Sequence, residues 1–279
     1  MLNFLRPRPT CPQKTVWITG ASSGIGESLA REFANRGATV VLTGRRLDRL
    51  TSLAQEILAQ GKQAVALELD VTEDGQCERV VAEILRTYGR LDVVIANAGF
   101  GVMGNVESLT LNDYRRQLET NLYGVLRTLQ SAIPSVKKTQ GSLVLVGSVM
   151  GHLSLPGGSP YAISKFAVRA LADSLHGEMR PEGVAVTLIS PGFVKSEIHQ
   201  VDNQGIHHPG AKKPLPSWAY MDTDQAAREM TDAILWRERE RIITFHGKFA
   251  IFLKRHLDGL VGWIISSSVK ARNPAKSAH

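Results

Sequence analysis

Short apolar runs alternate with longer segments of helical periodicity along most of the chain. The runs rich in Val, Ile and Leu predict buried β-strands at 16–19, 39–43, 64–69, 93–96, 143–146 and 184–189. The intervening and following segments predict helices at 27–36, 47–60, 73–88, 111–135, 160–180 and 223–237. This alternation predicts a doubly wound α/β fold with a parallel sheet, right-handed crossovers and helices on both faces. Ligands bind such sheets at the carboxyl ends of the strands.

A glycine-rich turn joins the strand at 16–19 to the helix at 27–36. It contains Gly20, Ser22, Ser23, Gly24, Ile25 and Gly26. Glycines let the backbone turn tightly and approach a pyrophosphate, whose charge is met by N–H groups at the helix N-terminus. The spacing Gly-x-x-x-Gly-x-Gly differs from the widespread Gly-x-Gly-x-x-Gly pattern, and a tight connection that binds nothing is the alternative.

Candidate acid–base chemistry lies in Ser148, Tyr161 and Lys165. On a helix, side chains four residues apart emerge on one face, so Tyr161 and Lys165 are predicted to be neighbours. An ammonium group beside a phenol favours the phenolate and lowers the phenol pKa toward the working pH, which suits proton transfer with a substrate oxygen. Ser148 can hold that oxygen. The alternative is a buried tyrosine beside a surface lysine.

The chain resembles the short-chain dehydrogenase/reductase family over residues 14–196. The resemblance rests on the glycine turn, the Ser-Tyr-Lys set and further marks in the family's order: Asp70-Val71, Asn97-Ala98-Gly99, Asn121 and Pro191-Gly192. One short motif can match by chance, but the probability that all of these motifs occur by chance in this order and at these separations is negligible. The resemblance implies a Rossmann-type fold and a nicotinamide-dependent oxidoreductase.

The resemblance also implies roles for individual residues. Asp70 and Val71 are expected to contact the adenine, and Asn97 to steady the central sheet beside the cofactor, with Ala98 and Gly99 next to it. The catalytic set is expected to be Asn121, Ser148, Tyr161 and Lys165, with Asn121 holding a water that links Lys165 to solvent. Lys165 is also expected to hold the nicotinamide ribose. The nicotinamide loop is expected to comprise Pro191, Gly192, Val194 and Ser196.

The end of the second strand carries the cofactor preference. The sequence there is Gly44-Arg45-Arg46, without an acidic residue that could accept hydrogen bonds from a ribose 2′-hydroxyl. A guanidinium group matches a 2′-phosphate in charge and fork geometry, so Arg45, assisted by Ser22 or Arg46, predicts NADP(H). The alternative is that both arginines are solvated residues at a helix start.

The predicted reaction is hydride transfer to a ketone or aldehyde, with Tyr161 protonating the developing alkoxide and Ser148 stabilising it. The motif is symmetric, so alcohol oxidation is the same chemistry in reverse. Met150, His152 and Phe193 flank the catalytic motifs and, with Ser148 and Tyr161, are the substrate-binding candidates. The apolar character of this neighbourhood favours a hydrophobic or lipid-like carbonyl compound.

Composition fits one domain with two extensions. We predict a flexible N-terminal arm over 1–13, a catalytic domain over 14–240 with a substrate lid at about 197–220, and a basic amphipathic extension over 241–279. Cys11 and Cys77 show no pairing or metal-ligand spacing, and no signal-peptide core precedes residue 14, so a cytoplasmic protein is expected. The lid histidines, His199, His207 and His208, lack neighbouring metal-ligand patterns, and no metal site is predicted.

Charge concentrates at the C-terminus. Residues 237–276 hold nine Lys/Arg and three acids, which accounts for six units of the net charge of +7. The catalytic body is therefore almost neutral, and a nucleic-acid surface is not predicted. In the tail, Phe249, Phe252, Leu253, Leu257, Leu260, Val261 and Ile264 recur at helical spacing. That pattern favours peripheral contact with an anionic membrane, and packing on the core or on a second subunit is the alternative.

Several alternatives remain open in function and assembly. By resemblance, a homodimer or homotetramer is expected to form through the helices at 111–135 and 160–180. A general small-carbonyl reductase and a non-catalytic NADP(H)-binding regulator are the other candidate functions, although a regulator has no need of the full Ser-Tyr-Lys set. A sugar-nucleotide epimerase or dehydratase would share Tyr-x-x-x-Lys but normally has a different glycine spacing and a longer C-terminal substrate domain.

Overall fold

A seven-stranded parallel sheet forms the centre of the molecule. The computed structural model describes residues 7–197, 203, 216, 219–259 and 262. Within that part, the strand order is β3-β2-β1-β4-β5-β6-β7, and every neighbouring pair is parallel. The strands are β1 (Thr15–Thr19), β2 (Thr39–Gly44), β3 (Gln63–Glu68), β4 (Val93–Ala96), β5 (Ser142–Val146), β6 (Ala185–Pro191) and β7 (Glu240–Ile243). The order reverses between β1 and β4, which opens a crevice at the carboxyl edge of the sheet.

Helices cover both faces of this sheet. They are α1 (Gly24–Asn35), α2 (Leu47–Ala59), α3 (Gln76–Tyr88), α4 (Leu111–Leu118), α5 (Gly124–Thr139), α6 (Ser159–Met179), α7 (Thr223–Leu235) and α8 (Phe245–His256). The doubly wound α/β fold predicted from the sequence is confirmed. The six predicted strands all form, and the sheet has one further strand, β7, at its edge.

Strand periodicity divides the core into two layers. Val16 and Ile18 of β1 pack in the layer that contains Phe33 of α1, whereas Trp17 between them packs in the opposite layer with Val125 of α5. Successive side chains of a strand point to opposite faces, so an uninterrupted apolar strand supplies both layers. The sheet that carries the site is therefore buried on both sides.

The helix predicted at 111–135 is interrupted. Helix α4 ends at Leu118, a π-helical turn spans Glu119–Tyr123, and α5 begins at Gly124. Gly124 packs closely on the segment that follows β3, since a Cβ on Gly124 would lie 2.6 Å from Val71 Cγ2. A π turn rotates the side chains it carries relative to a regular helix and often marks a functional site.

The N-terminal arm, expected to be flexible over 1–13, is anchored where the structure describes it. Cys11 is buried, and its N–H donates to Arg36 O at 2.9 Å. The Arg36 guanidinium donates to Pro9 O at 2.6 Å and to Asp232 Oδ1 of α7 at 2.7 Å. The segment from Pro9 therefore packs on α1 and α7, and residues 1–6 lie outside the described part.

Parts of the predicted extensions also lie outside the described residues. Of the predicted lid, the structure describes only residues 197, 203, 216, 219 and 220, so His199, His207 and His208 lie outside the described part. The tail residues Leu260, Val261 and Ile264 also lie outside it. Among the residues that the structure describes, no helix combines the length and the apolar composition needed to cross a bilayer.

Candidate active site

The glycine turn packs directly against the backbone around it. Gly20 has φ +68°, in the left-handed region that favours glycine, and a Cβ on Gly26 would lie 2.3 Å from Gly20 O. Asn97 closes the turn from β4 by donating from Nδ2 to Thr19 O at 2.9 Å and to Gly20 O at 3.2 Å. Thr19 Oγ1 in turn accepts from the N–H groups of Asn97 and Ala98 at 3.0 and 3.1 Å. The ends of β1 and β4 are thus locked together at the crevice.

Ser148 and Tyr161 meet beyond the end of β5. Ser148 Oγ accepts the N–H of Met150 at 3.1 Å, which fixes the hydroxyl at the start of a short 3₁₀ turn over Val149–Gly151. Tyr161 lies in the first turn of α6, near enough to Ser148 for the serine hydroxyl to favour the phenolate. Burial raises the pKa of Tyr161 above its usual value, and the nearby Ser148 hydroxyl offsets only part of that rise.

Lys165 lies one turn further along α6, as predicted, and is buried with 5% of its surface exposed. Its ammonium group donates to Val146 O at 2.8 Å, and Nζ lies 5.7 Å from the centroid of the Tyr161 ring. Burial lowers the pKa of Lys165 to about 8. The lowered phenol pKa expected from the sequence is not found here, because burial dominates and the ammonium is directed at a backbone carbonyl.

The buried ammonium gives the stability of the protein a specific pH dependence. The pKa of Lys165 is about 8 in the folded chain, against 10.5 for a solvated lysine, so between these values the unfolded state binds more protons and stability rises with pH. Lys165→Met lacks this group. We therefore expect the free energy of unfolding of the variant, relative to wild type, to fall by roughly 3 kcal/mol across that window.

Urea unfolding of both proteins without added cofactor, at a series of pH values, measures this difference. Contributions from other titrating groups cancel in the comparison. A difference that stays constant with pH would show that Lys165 is not held as a buried base.

Asn121 lies in the π turn and is fully buried. Its Oδ1 accepts the N–H of Phe100 at 3.1 Å, and its Nδ2 donates to Phe100 O at 3.0 Å and to Ser164 Oγ at 3.3 Å. Ser164 Oγ donates to Tyr161 O at 2.7 Å. The amide therefore ties the loop after β4 to the helix that carries Tyr161.

Two residues of this hydrogen-bond network, Gln117 and Ser164, were not predicted from the sequence. Gln117 is buried, accepts from Val102 N at 2.6 Å and donates to Phe100 O at 2.9 Å. Ser164 is the other. Neither belongs to a motif, and the contacts of Gln117 depend on the loop after β4 returning to α4.

The two arginines after β2 occupy different positions. Arg46 donates to Ser22 Oγ at 3.0 and 3.2 Å and to Ser23 Oγ at 2.7 Å, and pairs with Glu197 at 3.1 Å. Arg45 has a side chain 69% exposed. Arg46 therefore belongs to the glycine turn, whereas Arg45 extends into solvent beside it.

Asp70 and Val71 follow β3. Asp70 Oδ1 accepts from the N–H and hydroxyl of Thr72 at 2.9 and 2.7 Å, and Oδ2 lies 4.0 Å from Arg45 Nη1. Val71 is buried against Gly124. Both stand at the same carboxyl edge as the glycine turn, which is where the sequence placed them.

The loop after β6 returns to the glycine turn. Pro191 ends β6, and Gly192 N–H donates to Ile243 O of β7 at 3.2 Å. Val194 forms a bridge with Met221. Ser196 reaches α1, since a Cβ on Gly24 would lie 3.2 Å from Ser196 Cβ.

The substrate candidates separate into two groups. Phe193 packs edge-on against Tyr220, with ring centroids 5.7 Å apart, and Met150 adjoins Ser148. His152 is placed elsewhere. Its Nε2 lies 3.1 Å from Ser190 Oγ and 3.1 Å from Glu240 Oε1, so it joins the Ser148 segment to β6 and β7 instead of facing Tyr161.

Comparison with known proteins identifies the family. A family model described as short chain dehydrogenase matches residues 14–206. The chain belongs to the short-chain dehydrogenase/reductase family. As a member, it is an oxidoreductase that acts on alcohol or carbonyl groups.

Similar proteins come from distant organisms. The mouse dehydrogenase/reductase SDR family member 7B is 29% identical over all of this chain and 88% of the relative. An uncharacterized oxidoreductase of Myxococcus xanthus is 41% identical over 68% of this chain and 76% of the relative. The 11-beta-hydroxysteroid dehydrogenase-like protein 4A of Arabidopsis thaliana is 35% identical over 80% of this chain and 72% of the relative.

Solved structures agree in fold. An alcohol dehydrogenase from Thermococcus sibiricus, complexed with 5-hydroxy-NADP, is 31% identical with a TM-score of 0.72, covering 82% of this chain and 95% of that one. A gluconate 5-dehydrogenase from Burkholderia cenocepacia, with NADP and tartrate, is 21% identical with a TM-score of 0.77 over 86% of this chain and 97% of that one. A short-chain dehydrogenase/reductase from Burkholderia phymatum was solved with NAD and has a TM-score of 0.80 at 21% identity, covering 92% of this chain and 96% of that one.

The residues present fit a dinucleotide cofactor. A Cβ on Gly20 would lie 2.8 Å from Ala98 Cα, and one on Gly26 would lie 2.3 Å from Gly20 O. Only glycine therefore fits at these two positions of the turn. Ser22 and Ser23 hydroxyls and the N-terminus of α1 border the same turn. Such a cradle suits a pyrophosphate.

Proposed function

We propose that this protein is an NADPH-dependent carbonyl reductase for a hydrophobic ketone or aldehyde. The observation that carries the proposal is the meeting of Ser148, Tyr161 and Lys165 at the carboxyl edge of the sheet, beside a glycine turn that fits a dinucleotide. A nicotinamide cofactor held there supplies the hydride that the carbonyl carbon accepts.

The protein's own residues handle the oxygen. Tyr161 retains its proton near neutral pH because burial raises its pKa, and so it can donate that proton to the substrate oxygen as negative charge develops there. Ser148 donates a hydrogen bond to the same oxygen. Lys165, with a pKa of about 8, can resupply the proton to Tyr161. The protonated phenol is the form that carbonyl reduction requires.

Asn121 supports the positions of Tyr161 and Lys165. We propose that the π turn presents its amide for two tasks: holding the Phe100 backbone, and ordering the water through which Lys165 exchanges protons with solvent. The contacts with Phe100 and Ser164 support the first task. The second rests on the resemblance to the family.

A panel of carbonyl compounds tests the proposal. The purified protein is expected to oxidise NADPH in the presence of long apolar ketones or aldehydes and to be slower with small polar ones. Rapid turnover confined to small carbonyls would replace the proposal by a general reductase. Tight NADPH binding without turnover of any carbonyl would favour the regulator instead.

The cofactor preference is assigned to Arg45. Its side chain is exposed beside the glycine turn, with Asp70 4.0 Å away, whereas Arg46 is already bonded to Ser22, Ser23 and Glu197. An exposed guanidinium at this position suits a 2′-phosphate. The solved alcohol dehydrogenase of Thermococcus sibiricus, which holds an NADP derivative, also favours this choice.

Arg45→Ala is expected to raise the KM for NADPH by roughly 10- to 100-fold, because one charge-assisted contact contributes about 1.5–3 kcal/mol. The KM for NADH should stay unchanged. Arg86→Ala removes a similarly exposed arginine from α3 and serves as the matched control. An unchanged NADPH/NADH ratio in Arg45→Ala would remove Arg45 from the 2′-phosphate site.

The C-terminal helix supports an apolar substrate delivered at a lipid surface. Phe245, Phe249 and Phe252 of α8 are 83%, 54% and 56% exposed, and Lys254 and Arg255 lie in its last turn. Exposed aromatic rings beside cations suit the interface of an anionic membrane. We propose that the protein attaches peripherally to the cytoplasmic face of a membrane through α8. We also propose that it forms a dimer or tetramer through α4, α5 and α6.

A further inference from the structure

The first turn of α8 packs against both loops of the active site. The helix begins after Thr244, whose Oγ1 accepts the N–H of Gly247 at 3.2 Å. A Cβ on Gly247 would lie 2.7 Å from Val149 Cγ2, directly after Ser148. A Cβ on Gly192 would lie 2.2 Å from Thr244 Oγ1. The C-terminal helix is therefore part of the wall of the site, beyond the residues 14–206 that the family model matches.

His246 makes the polar contact in this wall. Its Nε2 accepts the N–H of Phe193 at 3.1 Å, and its ring lies against the Phe193 ring with centroids 5.6 Å apart. An imidazole can accept at Nε2 only when that nitrogen carries no proton. His246 is exposed on its outer side, and the partial burial of its ring lowers its pKa below the usual value, in the direction of this neutral form.

This contact completes a set of bonds on one side of the nicotinamide loop. Phe193 O accepts from Met221 N–H at 2.9 Å, and Lys195 N–H donates to Met221 O at 2.9 Å. In extended backbone the polar groups of successive residues point to opposite sides. With Phe193 and Lys195 bonded to Met221 on one side, the N–H and C=O of Val194 are turned to the other side. Ser196, two residues further on, lies against Gly24 of the glycine turn.

We propose that His246 is a positioning residue for the nicotinamide site: by accepting the Phe193 N–H it holds the loop so that Val194 presents its backbone groups to the cofactor. The inference rests on the proposed function, since it assigns the loop to a nicotinamide cofactor. His246 acts through Phe193 and takes no part in the chemistry.

Two substitutions separate the acceptor from the ring. His246→Phe keeps an aromatic ring against Phe193 and removes the acceptor, whereas His246→Gln places an amide oxygen at a similar reach from the backbone. We expect His246→Phe to weaken NADPH binding by roughly 5- to 10-fold, as one neutral hydrogen bond warrants, and His246→Gln to restore it to within about twofold of wild type. His256→Phe, the same substitution at the far end of α8, is the matched control.

Fluorescence titration of the purified full-length variants with NADPH, and in parallel with NADH, measures the dissociation constants without turnover. Steady-state kinetics should show the same rise in the KM for the cofactor with kcat nearly unchanged. Equal losses in His246→Phe and His246→Gln, or wild-type binding in both, would overturn the inference. If wild type binds NADPH but reduces no carbonyl, the proposed function fails while the binding comparison still decides the role of His246.

Discussion

Tyr161→Phe is expected to reduce kcat for carbonyl reduction by about 10³-fold while leaving the dissociation constant of NADPH within about twofold. General acid catalysis by one positioned group contributes about 10²–10⁴ in rate, and phenylalanine removes only the hydroxyl that donates the proton. The remaining ring keeps its packing. The influence of the neighbouring Ser148 hydroxyl on the phenol is lost with it.

Tyr114→Phe is the matched control for this experiment. Its hydroxyl, on α4, lies 2.7 Å from Ser159 Oγ at the start of α6, so the control removes a tyrosine hydroxyl that bonds to a serine of the helix that carries Tyr161. Single-turnover and steady-state rates of NADPH oxidation, with cofactor titrations alongside, give both quantities. Turnover above about a tenth of wild type in Tyr161→Phe would show that another group protonates the substrate.

Gly26→Ala is expected to destabilise the protein by roughly 3 kcal/mol and to abolish measurable cofactor binding. Its Cβ would lie 2.3 Å from Gly20 O and 2.7 Å from Asn97 Nδ2, and both of these atoms belong to the lock between β1 and β4. Overpacking of this kind costs about 1–3 kcal/mol even where flexible side chains yield, and here a backbone carbonyl must move. A chain of this size should lose about 6–12 °C in Tm.

Gly177→Ala provides the control. Gly177 lies within α6, and a Cβ there meets no atom within 4 Å, so the substitution should raise the stability by about 0.5–1 kcal/mol. Thermal unfolding and NADPH titration distinguish the two variants. Wild-type Tm and binding in Gly26→Ala would mean that the turn does not pack as described.

Local signals accounted for most of the fold. Strands such as β4 (Val93–Ala96) form where the apolar run predicts, since a strand buried on both faces must be apolar throughout. Strand β7 was missed because it begins with Glu240 and Arg241, so it is not an apolar run; it lies at the edge of the sheet, where charge is tolerated. The π turn over Glu119–Tyr123 was missed because hydrophobic periodicity does not distinguish one π turn from the α-helix on either side of it.

Site residues that belong to sequence motifs were predicted. Those whose positions depend on contacts between residues far apart in the sequence were predicted less well. His152 seemed to face the substrate from its neighbourhood, yet hydrogen bonds with Ser190 and Glu240 direct it to the β6–β7 edge. His246 carried no motif, and its partner Phe193 lies 53 residues away in the sequence. The Tyr161 pKa was misjudged because spacing along a helix shows proximity to Lys165 but not burial.

Transfer of deuterium from cofactor to product tests the central claim most directly. NADPH deuterated at the transferable C4 position is supplied with an apolar ketone, and the product is analysed by mass spectrometry. The proposed function predicts one deuterium on the carbinol carbon with wild type, and no labelled product above background with Tyr161→Phe. Unlabelled alcohol, or no alcohol with any ketone despite bound NADPH, would contradict it.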